Sequence, residues 1–309
     1  MDEKQPPPKV SAVIVSWNNA SALRRCLAAL ERSQGRENIE IIVVDKGSRD
    51  ESPQLDAEFP NITLLRLPRN FGTVKALNIG MRTATGDLFF FLPPEVEVMP
   101  ETVTGLCARL ETPVDAAAVC PMLTDESDRP VQQVRKLPLP PELYRAWREG
   151  GFRDWANPGS GPEPISVDFL KVPVMMVRAN FLKGMRYIDE RFSESWWDLE
   201  VCYQIRRAGK KILLLPDLRG IVNPAANLGE VLPPAARALV SSDCIVGAAT
   251  FSAKHFAWTA GLQVRVRALV CAFLDLLAAF LRFRDVGFHF SQFSNLLNGR
   301  KIDGTQSEF

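Results

Sequence analysis

The stretch VSAVIVSWNNASALRRCLAALERS, residues 10–33, decides how the rest of the chain is read. Val10 to Trp17 is a short apolar run rich in β-branched residues, as expected of a buried strand. Asn18-Asn19 break the run. Leu23, Leu27 and Leu30 then recur at helical spacing, with Ser21 as the expected N-cap. Strand, loop and helix in that order open a β-α-β pattern.

The pattern repeats downstream. IEIIVVD (39–45) reads as a second buried strand, followed by turn residues and a short helix. ITLLRLP reads as a third strand. TVKALNIGMRTA is helical, with Val74, Leu77 and Met81 on one face, and GDLFFFL is a fourth strand. A helix near 101–110 and a strand at AAAVCPML follow. Residues 124–165 are rich in Pro and Gly and read as a long excursion, with a short helix at PELYRAWREG. VDFLKVPVMMVRANFLKGM resumes strand then helix. RRAGKKILLLPD is a helix end closed by Gly209, then a strand; beyond Pro233-Pro234 the chain reads as helical. Strands alternating with helices imply an α/β fold with a mainly parallel sheet covered on both faces. Ligands of such sheets bind beyond the carboxyl ends of the strands. Here those ends are Trp17-Asn18, Asp45 and Pro94-Glu95.

The totals narrow the function classes. The chain has 309 residues, 46% hydrophobic and 24% charged, with a formal net charge of +1. A near-neutral chain gives no bulk electrostatic case for nucleic acid. The six cysteines form no Cys-x-x-Cys pair, which points away from a zinc site or a disulfide scaffold and toward free thiols in a reducing compartment. MDEKQPPPKV has no apolar signal region, so residues 1–8 are expected to be a flexible lead-in and the cytoplasm the compartment.

Four segments in order resemble the family 2 glycosyltransferases, above all their rhamnosyltransferase-like branch: VIVSWNN, IIVVDKGSRDES, RNFGTVKALNIGMRTATGDLFFFLPPEVEV, and IDERFSESWWDLEVCYQIRRAGKKILLLPD. The resemblance implies a GT-A-like, nucleotide-binding sheet over residues 9–235 with a C-terminal helical segment over 236–309. It also implies transfer of a sugar, with inversion, from a nucleoside-diphosphate-sugar to a hydroxyl acceptor, in cell-surface polysaccharide or lipid-linked glycan assembly. A catalytically weak relative that binds a nucleotide, a glycan or a partner protein is the alternative. A nucleotidyltransferase is a third class, but SWNNAS supplies neither the glycine-rich phosphate loop nor the basic residue it would use.

The resemblance assigns roles, and each has a plainer reading beside it. Asp45 would accept an N–H of the base, yet an aspartate before Gly47 also suits a turn. Asn18, Asn70, Gly72 and Lys75 would face the nucleotide, with a helix N-terminus near the diphosphate; the same residues suit a glycine turn opening a surface helix. The family ends the fourth strand in Asp-x-Asp or Asn-Pro-Asp, whose last aspartate holds Mg²⁺ or Mn²⁺. Here Glu95 stands there, with Glu97 two residues on, and both are candidate metal ligands; a solvated loop is the other reading. Asp198 matches the family's general base, or else caps a helix. Trp196 and Trp197 would stack on a sugar or anchor a loop. The family's metal histidine falls near Asn223, and the family's asparagine after Asp45 is Lys46. His255 and His289 read as ordinary surface or packing residues.

The most apolar stretch runs from Phe256 to Phe290. Only 14 residues separate Arg267 from Arg282, short of the ~20 that span a bilayer. Leu269, Phe273, Leu277 and Phe280-Leu281 share one helical face flanked by Arg265, Arg267, Arg282 and Arg284. That face suits peripheral membrane contact, a homodimer, or packing on the rest of the chain.

Overall fold

The computed structural model describes residues 9–111, 115–159, 161, 163–223 and 232–305; the expected lead-in over residues 1–8 lies outside them. The opening stretch forms β1 (Val10–Ser16) and α1 (Ala20–Glu31). There follow β2 (Ile39–Asp45), β3 (Ile62–Arg66), α2 (Thr73–Thr83), β4 (Leu88–Phe91), β5 (Val96–Val98), α3 (Thr102–Glu111) and β6 (Ala116–Thr124). The Pro- and Gly-rich excursion contains β7 (Val134–Arg135) and α4 (Pro140–Glu149). Then come β8 (Ile165–Val167), β9 (Phe169–Leu170), β10 (Met175–Arg178), α5 (Ala179–Gly184), α6 (Trp197–Arg207) and β11 (Lys211–Val222). Three helices close the described chain: α7 (Pro234–His255), α8 (Trp258–Arg282) and α9 (Val286–Leu297).

One expected detail is corrected. Ser21 is not the N-cap of α1; Asn19 is, and its Oδ1 accepts the Ser16 hydroxyl at 2.7 Å. The first free amide, Ala20 N–H, donates to Asp50 Oδ2 at 2.8 Å. A tertiary carboxylate thus replaces the local serine as partner of the helix end.

The main sheet runs β3-β2-β1-β4-β10-β6-β11-β5, with β8 added on β11. β3, β2, β1 and β4 are parallel, as is β6 to β11, while β10, β5 and β8 enter antiparallel. β7 and β9 form a separate two-stranded ribbon. Register sets the site edge. Ser16 lies beside Asp45 and Val13 beside Phe91, so the loops after β1, β2 and β4 emerge together.

The phenylalanine run in β4 is explained by burial on two faces. Phe89 and Phe91 pack on the side of α2 (Val74, Leu77, Met81), and Phe90 on the side of α1 (Leu23, Leu27, Leu30). Successive strand residues point to opposite faces, so a strand covered twice needs apolar residues at every position. Ile245, Ala248 and Phe251 of α7 and Ala268 and Ala272 of α8 join the α2-side core. Helix α4 ties this layer down: Trp147 Nε1 donates to Ser241 Oγ at 2.7 Å, Tyr144 Oη pairs with Cys271 Sγ at 2.8 Å, and Arg148 pairs with Asp275. All six cysteines are free thiols.

Candidate active site

At the carboxyl edge of β1, β2 and β4 the chain leaves a cavity of about 300 Å³. Its polar lining comprises Asn19, Lys46, Thr73, Glu95 and Glu194, with Trp17 and Trp197 as aromatic walls. Pro93 and Pro94 explain how Glu95 gets there. The prolines end β4, Val96 N–H donates back to Pro93 O at 3.0 Å, and the tight turn leaves Glu95 on the rim. No described residue hydrogen-bonds or ion-pairs with the Glu95 carboxylate.

Glu97 is placed differently. Its carboxylate accepts Arg25 Nε of α1 at 2.9 Å and does not line the cavity. Both carboxylates remain close to α1: burial first, and then the charges of Glu95 and Glu97, push the Cys26 thiol far up. Asn223, where the family has a histidine, donates its backbone N–H to Glu95 O at 3.0 Å, while its side chain donates to Glu126 at 2.6 Å. Among the described residues no group of three or more His, Cys, Asp or Glu side chains is disposed to hold a metal. One carboxylate on a cavity rim is the protein share of a cation site only where water and a diphosphate complete the coordination, as is common for Mg²⁺.

Asp45 is 1% exposed. Its Oδ1 accepts Gly47 N–H at 3.0 Å and Ser48 N–H at 2.9 Å, the turn geometry anticipated as the plainer reading. Its Oδ2 is buried with no hydrogen-bond partner among the described residues. Such an orphan carboxylate oxygen is costly unless something completes it. Asn18 braces the same turn with φ +49°, donating its N–H to Ser48 Oγ at 2.8 Å and accepting Arg49 N–H at 2.8 Å.

The glycine turn before α2 is more committed than the sequence suggests. Asn70, 3% exposed, accepts Gly72 N–H at 2.9 Å. Gly72 has φ +87°, and a Cβ there would lie 2.2 Å from Ser193 Oγ. Val74 N–H donates to Ser193 O at 2.9 Å, and Thr73 N–H to Glu194 Oε2 at 3.0 Å. The helix start expected to meet a diphosphate is thus met here by the chain's own Glu194. Lys75 points away, exposed, with its ammonium 4.4 Å from the Phe71 ring centroid.

Lys46 completes this arrangement, and the sequence reading assigned it no role. Lys46 Nζ donates to Glu194 Oε1 and Oε2 at 2.7 and 2.8 Å and to Thr73 Oγ1 at 3.0 Å. Burial would push the Glu194 carboxyl up, but the charge and hydrogen bonds of Lys46, with those of Thr73, hold it below the usual carboxylate value. Lys46 and Glu194 lie 148 residues apart in the chain, so no local pattern joins them.

Asp198 lies in the first turn of α6, one residue past Trp197, whose ring meets Phe91 of β4 edge-on at 5.6 Å. It does not cap the helix: Trp196 is the N-cap residue, at φ +67°. Asp198 Oδ1 accepts only the neighbouring Leu199 N–H, at 2.8 Å, among the described residues. Burial pushes its carboxyl up to about 6, against the hydrogen bond from Leu199. A half-buried carboxylate titrating there is charged at neutral pH and basic enough to take a proton. Trp196 anchors the loop, its indole N–H donating to Cys244 O of α7 at 2.7 Å. Beneath it the buried Asp243 of α7 accepts the N–H groups of Glu194, at 3.2 Å, and Ser195, at 3.0 Å. Glu200 turns away to bond His255 at 2.6 Å and Lys254 at 2.8 Å, tying α6 to α7. His255 is thus a packing residue.

The strand order and the loop cluster at the carboxyl edge define a GT-A sheet. The family model described as glycosyl transferase family 2 matches residues 11–161. That segment is a little under half of the chain, and over it the chain is similar to the family 2 glycosyl transferases. An N-acetylglucosaminyltransferase of Sinorhizobium fredii is 26% identical over 119 residues, 37% of this chain and 29% of that protein, so the chain matches well under a third of that relative's length. Two structures of residues 1–349 of S. aureus TarS align over 94% of this chain and 92% of theirs, with a TM-score of 0.53; identity is 16% in one and 17% in the complex with UDP. GalNAc-T7 with UDP, GalNAc and Mn²⁺ aligns over 71% of this chain and 44% of its own, with TM-score 0.56 and 19% identity. At these identities the structural matches speak for the fold.

Proposed function

We propose that the chain transfers a sugar from a nucleoside-diphosphate donor to a hydroxyl acceptor, with inversion, in polysaccharide or lipid-linked glycan assembly. The transferase unit is residues 9–235, backed by the helical segment 236–309, and its setting is the cytoplasm and the inner face of a membrane. The observation that carries the reading is the cavity at the carboxyl edge, bounded by the loop after β1, the loop after β2 and the Glu95 turn, with Asp198 one residue beyond its Trp197 wall. The UDP named for the TarS and GalNAc-T7 structures makes a UDP-sugar the first donor to test.

In this reading the base reaches toward Asp45, whose orphan Oδ2 accepts its N–H. Asn18, Asn70 and Gly72 hold the turns that surround the nucleotide, and Lys75 stands on the outer side of α2. Asp198 takes the proton of the acceptor hydroxyl as it attacks the anomeric carbon, and the donor–carbon bond breaks with the electron pair leaving on the diphosphate. Glu95 faces the leaving group and is the residue that would hold a divalent cation there; when bound, the cation would neutralise charge on the leaving diphosphate. Glu97 ties β5 to α1 through Arg25.

A second reading rests on a specific observation. Glu194 already occupies the start of α2 with a buried ammonium beside it, which disfavours a second anion there. A relative with little turnover that binds a nucleotide or glycan matches that feature. Release of UDP or TDP from their sugars, with and without Mn²⁺, separates the two when run beside Asp198→Asn. Release by the native chain that falls about 10²–10⁴-fold in the variant supports transfer; equal background in both supports the binder.

A further inference from the structure

Helix α8 is apolar on two faces, and only one is covered. Gly261, Val264, Ala268, Ala272, Leu276 and Ala279 are buried. Leu262, Val266, Val270, Leu274, Leu277 and Leu281 form an outward stripe, each at least 45% exposed. The inward face is mostly small residues and the outward face mostly large ones, so much of the helix's apolar surface is left uncovered. Phe280, Phe283 (92% exposed) and Phe290 extend the stripe around the α8–α9 turn, and Trp258 (72% exposed) begins it. Scattered exposed apolar residues are ordinary; a contiguous stripe of this length along one helix is a contact surface.

Charge selects the occupant. The exposed charged side chains of α8 are Arg265, Arg267 and Arg282; Arg284 and one exposed acid, Asp285, follow in the turn, so the arginines outnumber it. The helix's one acid, Asp275, is half-buried and paired with Arg148 of α4. Against a second copy, an antiparallel α8 pair sets Arg265 and Arg267 opposite Arg282 and Arg284, and a parallel pair sets each arginine against its own kind. Both juxtapose like charges. An anionic bilayer surface accepts apolar residues and surrounding arginines together. No helix of the described residues is long and apolar enough to cross a membrane, so contact is along the surface.

We infer that the outward face of α8, with the Phe280–Phe290 turn, docks on an anionic phospholipid bilayer, holding the protein at the membrane with α8 in the interfacial plane. This surface belongs to the C-terminal helices and stands whether or not the cavity transfers a sugar. The test is co-sedimentation of the full chain with phosphatidylcholine vesicles, alone or containing phosphatidylglycerol, at low and high salt, with light scattering on the lipid-free protein. Leu281→Gln/Phe283→Ser and Arg282→Gln/Arg284→Gln change only exposed side chains, and circular dichroism checks their fold. Expected is binding to the anionic vesicles that salt weakens. The apolar pair should lose it by roughly tenfold or more, and the arginine pair should lose the preference for anionic lipid. A lipid-free mass of two copies that falls to one in the apolar variant, with no vesicle binding, would assign the face to a dimer and overturn the inference. A monomer that ignores both vesicle types would overturn it equally.

Discussion

Asp198 and Glu194 are four residues apart and have opposite electrostatic settings. Asp198 is desolvated without a cation, so its carboxyl rises from 3.8 to about 6. The sign follows directly: the charged, proton-accepting form dominates above about pH 6 and is lost as pH falls through it. The kcat/KM of the native chain should therefore fall with an apparent pKa near 6 on the acid side, and a profile flat down to pH 4.5 would remove Asp198 from the base role. Glu194 is held charged by Lys46, whose side chain is 5% exposed. Removing one partner strands the other, so Lys46→Met and Glu194→Gln should each cost about 1–3 kcal/mol. The pair Lys46→Met/Glu194→Gln should cost less than the sum of the single changes, which denaturant titration of the double-mutant cycle checks. Asp45, Glu95 and Asp198 were legible as residue types at strand ends and in a motif. Lys46 with Glu194 was not, because an ion pair closed across most of the sheet leaves no local pattern.

At the scale of elements, period and composition carried most of the reading. β4 was evident as an apolar run, and its two-sided burial explains why it has no alternation. Phe90→Ala should cost about 3–5 kcal/mol by urea denaturation, since the ring is fully buried among α1 and its neighbours. A cost below 1 kcal/mol would contradict the packing described. What the period did not carry was partnership. Ser21 looked like a cap, but Asp50 reaches the helix from another loop. β10 runs antiparallel between β4 and β6, a choice set by how the chain returns after the excursion and not by any residue in MMVR. Of the helical face read from Leu269, Phe273, Leu277, Phe280 and Leu281, the last four turn outward, whereas Leu269 is half-buried against the core.

Across the whole molecule, the C-terminal helices are structural partners of the site. Asp243 of α7 accepts Glu194 and Ser195 N–H with one oxygen and Ile302 N–H, at 3.2 Å, with the other. Asp243→Ala should loosen the segment that carries Glu194 and leads into Asp198, lowering stability by about 1–3 kcal/mol and raising amide exchange at 193–197 ahead of the sheet. Unchanged exchange there would mean α7 does not hold the loop. The α/β class and the carboxyl edge where the cavity lies could be read from segment order alone; the dependence of that edge on a helix residue 49 positions downstream of Glu194 could not. The most direct test of the account is a crystal structure of the protein with UDP and Mn²⁺. It should show the base against Asp45 and the diphosphate in the cavity beside Glu95, with Glu194 withdrawn from or sharing the start of α2. Nucleotide bound elsewhere, with Glu95 and Asp45 untouched, would contradict it.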